Sequence, residues 1–198
     1  VYAGDKEVND QRAWFRQTRV HNTLTLDGRN LETTDSKCLR WETDGPTDRL
    51  SVENPSYEGL THRRTVWFVD RRFFVIEDRA EGPAAGRVML HWNLAEGNPA
   101  ADAATSTVAT RYDDGNNLLM KVFGAEELEP QEGWVSYRYR ERSPRPAYVF
   151  THGKKAGETV RMVTVLLPVT EADGHRIELA ERRNGLQVKI DGRRYKLK

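Results

Sequence analysis

Five histidines are the side chains of this 198-residue sequence that could exchange protons near neutral pH. His21 is the most informative of them, because the alternation around residues 20–26 predicts a strand whose polar face carries Arg19, His21, Thr23 and Thr25. On such a face the imidazole could transfer a proton while the neighbouring guanidinium binds an acidic group. A surface or interface histidine without a chemical role is the alternative interpretation.

The other four histidines suit structural roles or leave the choice open. His62 is predicted to lie on the apolar face of its strand, the face that also carries Leu60. This position favours a hydrogen-bonded histidine in the core. His91 could bind a metal, since imidazole and carboxylates form a common donor set, but the sequence offers no second ligand at a suitable spacing. His152 and His175 lie at predicted turns and are expected to be solvated.

Several classes of site are absent from the sequence. It has no phosphate-cradling glycine loop, no nucleophile elbow, no His-Glu-x-x-His motif and no recognisable nucleic-acid module. Cys38 is the only cysteine, which excludes an internal disulfide and a cysteine-based zinc cage. No apolar run approaches the roughly 20 residues that span a bilayer. No signal peptide is predicted, and the start at Val1 suggests a fragment of a longer protein or a mature product.

Basic and acidic residues are nearly equal in number, but most of the basic residues are arginines. The 31 basic and 30 acidic residues give a net charge of +1, yet 23 of the cations are arginines. Arginine binds carboxylate and sulfate with two parallel hydrogen bonds, so the excess suits an anionic partner. Arg138, Arg140 and Arg142, beside Tyr137 and Tyr139, could follow a polyanion along one strand face. Codon usage and solvated strand faces are the alternative explanation.

A period of two dominates the chain and predicts an all-β protein, an antiparallel β-sandwich of about a dozen strands in one domain over residues 1–198. The predicted strands cover residues 20–26, 37–43, 60–69, 73–78, 87–95, 105–112, 118–123, 134–140, 147–151, 160–167, 176–181, 187–190 and 194–197. Asp27 and Gly28 predict a hairpin turn. Residues 97–104 and 126–132 are predicted loops, the second because it contains Pro130. Helical sequence is scarce.

Several motifs, in the right order, resemble the heparinase II/III-type polysaccharide lyases, and most closely their heparan-sulfate-cleaving members. Residues 16–28 resemble the family's R-x-T-x-x-H-N-T-x-x-x-D-G stretch. Residues 57–66 resemble its Y-x-G-x-x-H-R-R strand, and residues 74–82 its V-x-x-D-x-x-x-G segment. Residues 90–94 lie where the family has a strand that ends in His-Leu. The resemblance extends from residue 1 to at least residue 168.

This resemblance implies a β-sandwich that follows an N-terminal (α/α) toroid, with the active site in the cleft between them. The toroid would supply a tyrosine acid/base and an Asn-His pair, and the sandwich would supply His21 as a catalytic residue. Arg19 and Asn22 are the implied substrate-binding residues. The implied reaction is β-elimination on a uronic-acid-containing glycosaminoglycan similar to heparan sulfate, in the bacterial periplasm or outside the cell.

Cofactors and partners follow from the same resemblance. No redox or organic cofactor is required, and the partners are an acidic polysaccharide and the toroid of the same chain, not nucleic acid or a membrane. Some relatives hold a structural divalent metal through histidine and acidic ligands. Thr23 and Asn93 stand at two of the positions concerned, and no ligands are assigned. The alternative function is a non-catalytic carbohydrate-binding or spacer sandwich for acidic glycans.

Overall fold

A computed structural model describes residues 6–33, 35–171, 173–183 and 185–198. These residues form one α-helix, one 3₁₀ turn at Thr18–Val20 and seventeen strands. The elements are α1 Lys6–Phe15, β1 Leu24–Leu26, β2 Lys37–Glu42, β3 Thr47–Tyr57, β4 Leu60–Val69, β5 Phe73–Glu81, β6 Gly86–Asn93, β7 Ala100–Asp102, β8 Thr107–Ala109, β9 Asn117–Phe123, β10 Glu127–Gln131, β11 Trp134–Val135, β12 Ser143–Pro144, β13 Ala147–Lys154, β14 Val160–Val169, β15 Ile177–Arg182, β16 Gly185–Ile190 and β17 Arg193–Leu197.

Fifteen of the described strands form three stacked sheets, and the strand pairings are antiparallel. The central sheet has eight strands in the order β2-β3-β4-β5-β14-β9-β8-β7, and a four-stranded sheet, β1-β6-β13-β10, packs on one of its faces. The three-stranded sheet β15-β16-β17 packs on the other face. β11 and β12 form a separate short pair. The predicted all-β sandwich is therefore confirmed.

Two hydrophobic cores hold these layers together. In β14, Val160 and Met162 belong to the core beneath the four-stranded sheet, whereas Val163 and Val165 belong to the core beneath the three-stranded sheet. A strand covered on both faces has no solvated side, which explains why residues 160–167 are a nearly continuous apolar run.

Turn chemistry explains two of the tight connections. Asp70 and Arg71, between β4 and β5, both have positive φ, at 49° and 53°, as a tight antiparallel turn requires. The hairpin predicted around residues 113–117 is present, but β8 ends at Ala109 and β9 begins at Asn117, so residues 110–116 join the two strands. Asp27 and Gly28 also form a turn, but β1 pairs with β6 rather than with β2, so the predicted hairpin is wrong.

Several elements differ from the sequence prediction. Helix α1 and strand β3 were not predicted, and the register of β3 shifts between Asn54 and Tyr57, which breaks the period of two. The predicted loop 126–132 contains β10, because β10 is an edge strand of its sheet and an edge position tolerates Pro130. The predicted loop 97–104 contains the short strand β7.

The arginine-lined strand face predicted for residues 134–140 is also wrong. The strand ends at Val135, and Arg140 adopts a positive φ of 68° in the turn that follows. Arg138, Arg140 and Arg142 consequently do not lie on one strand face, and the guanidinium of Arg142 lies 4.3 Å from the centre of the Trp134 ring. In the described part of the chain no helix is long and apolar enough to cross a membrane.

Candidate functional site

The segment before β1 is a turn and a loop rather than the predicted strand. Thr18–Val20 forms a single 3₁₀ turn, and β1 begins only at Leu24. Two side-chain contacts fix the turn: the Asn30 side chain accepts a hydrogen bond from the Thr18 N–H at 2.8 Å, and the Thr18 hydroxyl accepts one from the Leu31 N–H at 2.9 Å. These contacts bury Thr18. The expected alternation fails further on, because Asn22, which shares the parity of Val20 and Leu24, is exposed, and Thr25 is buried.

His21 leaves this turn with its side chain exposed. Its backbone N–H donates to the Thr18 carbonyl at 3.1 Å, which fixes the start of a loop of residues 21–23. Among the described residues, the His21 ring has no hydrogen-bond or ion-pair partner. The imidazole is therefore open to solvent, and to any ligand above the loop, although it leaves a loop and not a strand face. Its catalytic role stays a prediction.

Arg19 lies within the 3₁₀ turn and is only partly exposed. Its Nε donates to the Gln17 side chain at 2.7 Å, and its Nη2 lies 3.9 Å from a carboxylate oxygen of Glu132. A second guanidinium approaches the same turn, since Arg145 donates to the Val20 carbonyl at 3.4 Å. The segment that carries His21 is thus flanked by cations, which suits an anionic ligand. The predicted substrate-binding role of Arg19 is not decided by these contacts.

The loop 21–23 is held from below at three points. Asn22 Oδ1 accepts a hydrogen bond from the Asn93 N–H at 2.8 Å, and the Asn22 carbonyl accepts one from Arg64 Nη1 at 2.6 Å. The Thr23 carbonyl accepts the N–H of His91 at 2.9 Å. The side-chain oxygen of Asn22 is therefore engaged within the protein, while its Nδ2 donors remain for a ligand. A substrate contact by Asn22 stays a prediction.

A buried ion cluster lies directly beneath Asn22. Asp78 on β5 has a fully buried side chain and accepts hydrogen bonds from Arg64 at 2.7 and 3.1 Å and from His62 at 2.6 Å. Burial alone would raise the pKa of Asp78, but the charge of Arg64 and the hydrogen bond from His62 outweigh it and lower that pKa to about 2. The prediction that His62 is a buried, hydrogen-bonded core residue is confirmed.

A second buried chain of hydrogen bonds runs from β1 to Arg19. Gln131 donates through Nε2 to the Arg19 carbonyl at 3.3 Å, so its Oε1 faces His91 Nδ1, 2.8 Å away. Nδ1 of His91 must then carry the proton, and Nε2 accepts from the Thr25 hydroxyl at 2.8 Å. Burial lowers the pKa of His91, which keeps the ring neutral, as this arrangement needs.

These contacts correct two sequence interpretations. Thr25 was placed on the polar strand face, yet its side chain is fully buried against His91. His91 was considered as a metal ligand, but Thr25 and Gln131 occupy both of its ring nitrogens. Of the other two histidines, His175 is exposed, as predicted, and pairs with Asp191. His152 lies within β13 rather than at a turn, is only partly exposed, and donates through Nδ1 to the Gly124 carbonyl.

Two residues of the site were missed from the sequence. Arg64 shares the strand parity of His62, and that parity was the available signal that its guanidinium would face the same core. Gln131 gave no signal, because the neighbouring Pro130 had suggested a loop. Arg19, His21 and Asn22 come together as expected, because they are neighbours in sequence.

The donor set beneath the loop does not fit the structural divalent cation that the sequence resemblance left open. In residues 6–33, 35–171, 173–183 and 185–198 no three histidine, cysteine, aspartate or glutamate side chains form a cluster that could hold a metal. Both oxygens of Asp78 are already bonded to Arg64. Asn93 Oδ1 is buried without a partner in the described part of the chain, but it is a single neutral oxygen.

Comparison with known proteins places this chain in a family. The family model described as "Heparinase II/III-like, C-terminal" matches residues 1–179. A heparin-sulfate lyase of Pedobacter heparinus is 40% identical over 91% of this chain, and one of Bacteroides stercoris is 38% identical over 100% of it. The crystal structure of heparan sulfate lyase HepC from Pedobacter heparinus is similar, with a TM-score of 0.93 and 37% identity over 100% of this chain.

The match covers a minor part of each of these relatives. The chain spans 28% and 31% of the two curated lyases and 33% of the HepC chain in the crystal. The family model matches residues 1–179, and the match to the HepC structure covers 100% of this chain. The chain therefore belongs to the heparinase II/III-like family and corresponds to its C-terminal domain.

Proposed function

We propose that this chain is the C-terminal sandwich of a bacterial polysaccharide lyase that cleaves a heparan-sulfate-like glycosaminoglycan by β-elimination. The observation that carries the proposal is His21, whose imidazole is exposed while its loop is fixed from below by Arg64, Asn93 and His91. A free side chain on a rigid backbone is the arrangement that proton transfer needs. The names of the relatives, heparin-sulfate lyases, supply the substrate class.

The reaction removes the proton at C5 of a uronic acid, next to its carboxylate. That proton becomes acidic enough only when hydrogen bonds or cations neutralise the carboxylate charge. A base then takes the C5 proton, the C4–O bond breaks, a C4=C5 double bond forms, and an acid protonates the departing oxygen. His21 transfers a proton or stabilises the developing charge, and a tyrosine of the N-terminal domain serves as the other acid/base.

The proposal divides the work between two parts of one protein. Residues 1–198 act as a single carbohydrate-binding β-sandwich domain, and an N-terminal (α/α) toroid completes the cleft. Arg19 and Asn22 contact the acidic polysaccharide, with Arg145 contributing positive potential from the other side of the turn. The enzyme works in the periplasm or outside the cell and needs no redox or organic cofactor.

The test compares this chain alone with the full-length protein. Residues 1–198 should unfold cooperatively but release no unsaturated uronide from heparan sulfate, whereas the full-length protein should release it, measured by ultraviolet absorbance. Elimination by the isolated chain would contradict the division between two domains. Binding of heparan sulfate without cleavage by the full-length protein would instead favour a carbohydrate-binding module.

Arg19→Ala should weaken substrate binding more than it slows the chemical step. The guanidinium is only partly exposed and already shares its charge with Glu132, so we expect KM to rise by about fivefold with little change in kcat. Screening shortens the range of such an attraction, so the difference from wild type should shrink as salt is raised from about 0.01 to 0.15 M. A change that falls on kcat alone, or is independent of salt, would remove Arg19 from the binding site.

A further inference from the structure

We propose that Arg64 is the positioning residue of His21: its guanidinium, fixed by the buried carboxylate of Asp78, holds the His21 loop in its working geometry. The role of Arg64 in turnover rests on the function proposed above, but its hold on the loop does not. Arg64 acts through the backbone of Asn22, and in the described part of the chain it forms no hydrogen bond with His21 itself.

The orientation of the Arg64 guanidinium is fixed by contacts other than its contact with the loop. Arg64 on β4 and Asp78 on β5 are direct partners in the strand register, and the carboxylate binds Nε and Nη2 at 2.7 and 3.1 Å. The ring of Trp92, on the facing sheet, lies 5.9 Å from the guanidinium carbon. Two parallel charged hydrogen bonds and a flat neighbour leave the group little rotational freedom.

The third guanidinium nitrogen of Arg64 connects the central sheet to the loop of residues 21–23. Nη1 donates to the Asn22 carbonyl at 2.6 Å, and it is not one of the two nitrogens that bind Asp78. The two contacts are therefore simultaneous, and they join the central sheet to the residue that follows His21. A lysine has a single nitrogen and cannot reproduce this fork.

Removing this contact should loosen the loop without detaching it. Asn22 keeps its hydrogen bond from the Asn93 N–H, and Thr23 keeps its bond from the His91 N–H. The loop should therefore stay near its place but sample more positions, which costs correct alignment of the imidazole in the transition state. The expected signature is a lower kcat at nearly constant KM.

The experiment uses three variants of Arg64 and its neighbours. Arg64→Lys keeps the charge but loses the fork, while a double variant, Arg64→Met with Asp78→Asn, removes both charges so that no unpaired ion is left buried. The matched control is Arg63→Met, because Arg63 is also ion-paired, to Glu53, but on the opposite face of β4. Amide hydrogen exchange is measured at His21 and Thr23 in this chain, and kcat and KM in the full-length protein.

In Arg64→Lys and in the double variant, exchange at the two loop amides should accelerate by about tenfold, with kcat falling by a similar factor, as the loss of one charged hydrogen bond predicts. Arg63→Met should leave both measurements within about twofold. Unchanged exchange in both Arg64 variants, or faster exchange with a wild-type kcat, would overturn the proposal. If the wild-type full-length protein shows no elimination, the proposed function fails, while the exchange rates still decide whether Arg64 holds the loop.

Discussion

Replacing His21 by alanine in the full-length protein is expected to slow elimination by about 100-fold or more, since an aligned proton-transfer or charge-stabilising group contributes at least that much. The side chain is exposed and contributes nothing to either core, so the free energy of unfolding should change by no more than about 0.5 kcal/mol. The loop itself should persist, because its hydrogen bonds with Thr18, Arg64, His91 and Asn93 do not involve the imidazole.

The measurement is the initial rate of unsaturated uronide formation at saturating heparan sulfate, with thermal unfolding recorded in parallel. His175→Ala is the matched control: His175 is also exposed, but it pairs with Asp191 beside the three-stranded sheet. It should leave the rate within about twofold of wild type. A His21→Ala protein that folds normally and keeps wild-type turnover would make His21 a surface histidine and remove the main support for the proposed function.

Sequence periodicity identified the strands that pack against a hydrophobic core. Leu60–Val69 was predicted to the residue, and β14 was recognised by its apolar content, because both strands lie in the middle of the eight-stranded sheet. When at least one face of a strand is buried, every second residue must be apolar, and this produces the period of two in the sequence. β3, whose register shifts before Tyr57, has no such constant parity and was missed.

The candidate site shows where this reasoning fails. Alternation correctly kept His21 out of the core, but it took a 3₁₀ turn and a bend for a strand, and it could not show that His91 covers the face that carries Thr25. What fixes that segment is polar and distant in sequence: Arg64 and Gln131 reach it from two other strands. A local pattern contains no record of such contacts, so only the fold could reveal them.

Asp78→Ala should cost about 3–5 kcal/mol of the free energy of unfolding, the largest stability loss expected from a single change near the site. The substitution leaves the guanidinium of Arg64, only 19% exposed, without its buried counter-charge, and it also deprives His62 of its partner. His62→Ala removes only the weaker of these two contacts and should cost about 1–3 kcal/mol. Urea unfolding of residues 1–198 measures both, and an Asp78→Ala value no larger than the His62→Ala value would contradict the ranking.

The dependence of stability on pH tests the cluster of Asp78, Arg64 and His62 independently. The pKa of Asp78 is lowered from 3.8 to about 2 in the folded protein, so the stability it contributes is complete above pH 3.8 and is lost as the pH falls towards 2. That difference corresponds to about 2 kcal/mol. The double variant Arg64→Met with Asp78→Asn has no carboxylate to titrate at this position, so its stability should fall by about 2 kcal/mol less than that of the wild type over this interval. Parallel acid curves for the two proteins would mean that Asp78 is not the ion that Arg64 and His62 hold in the folded state.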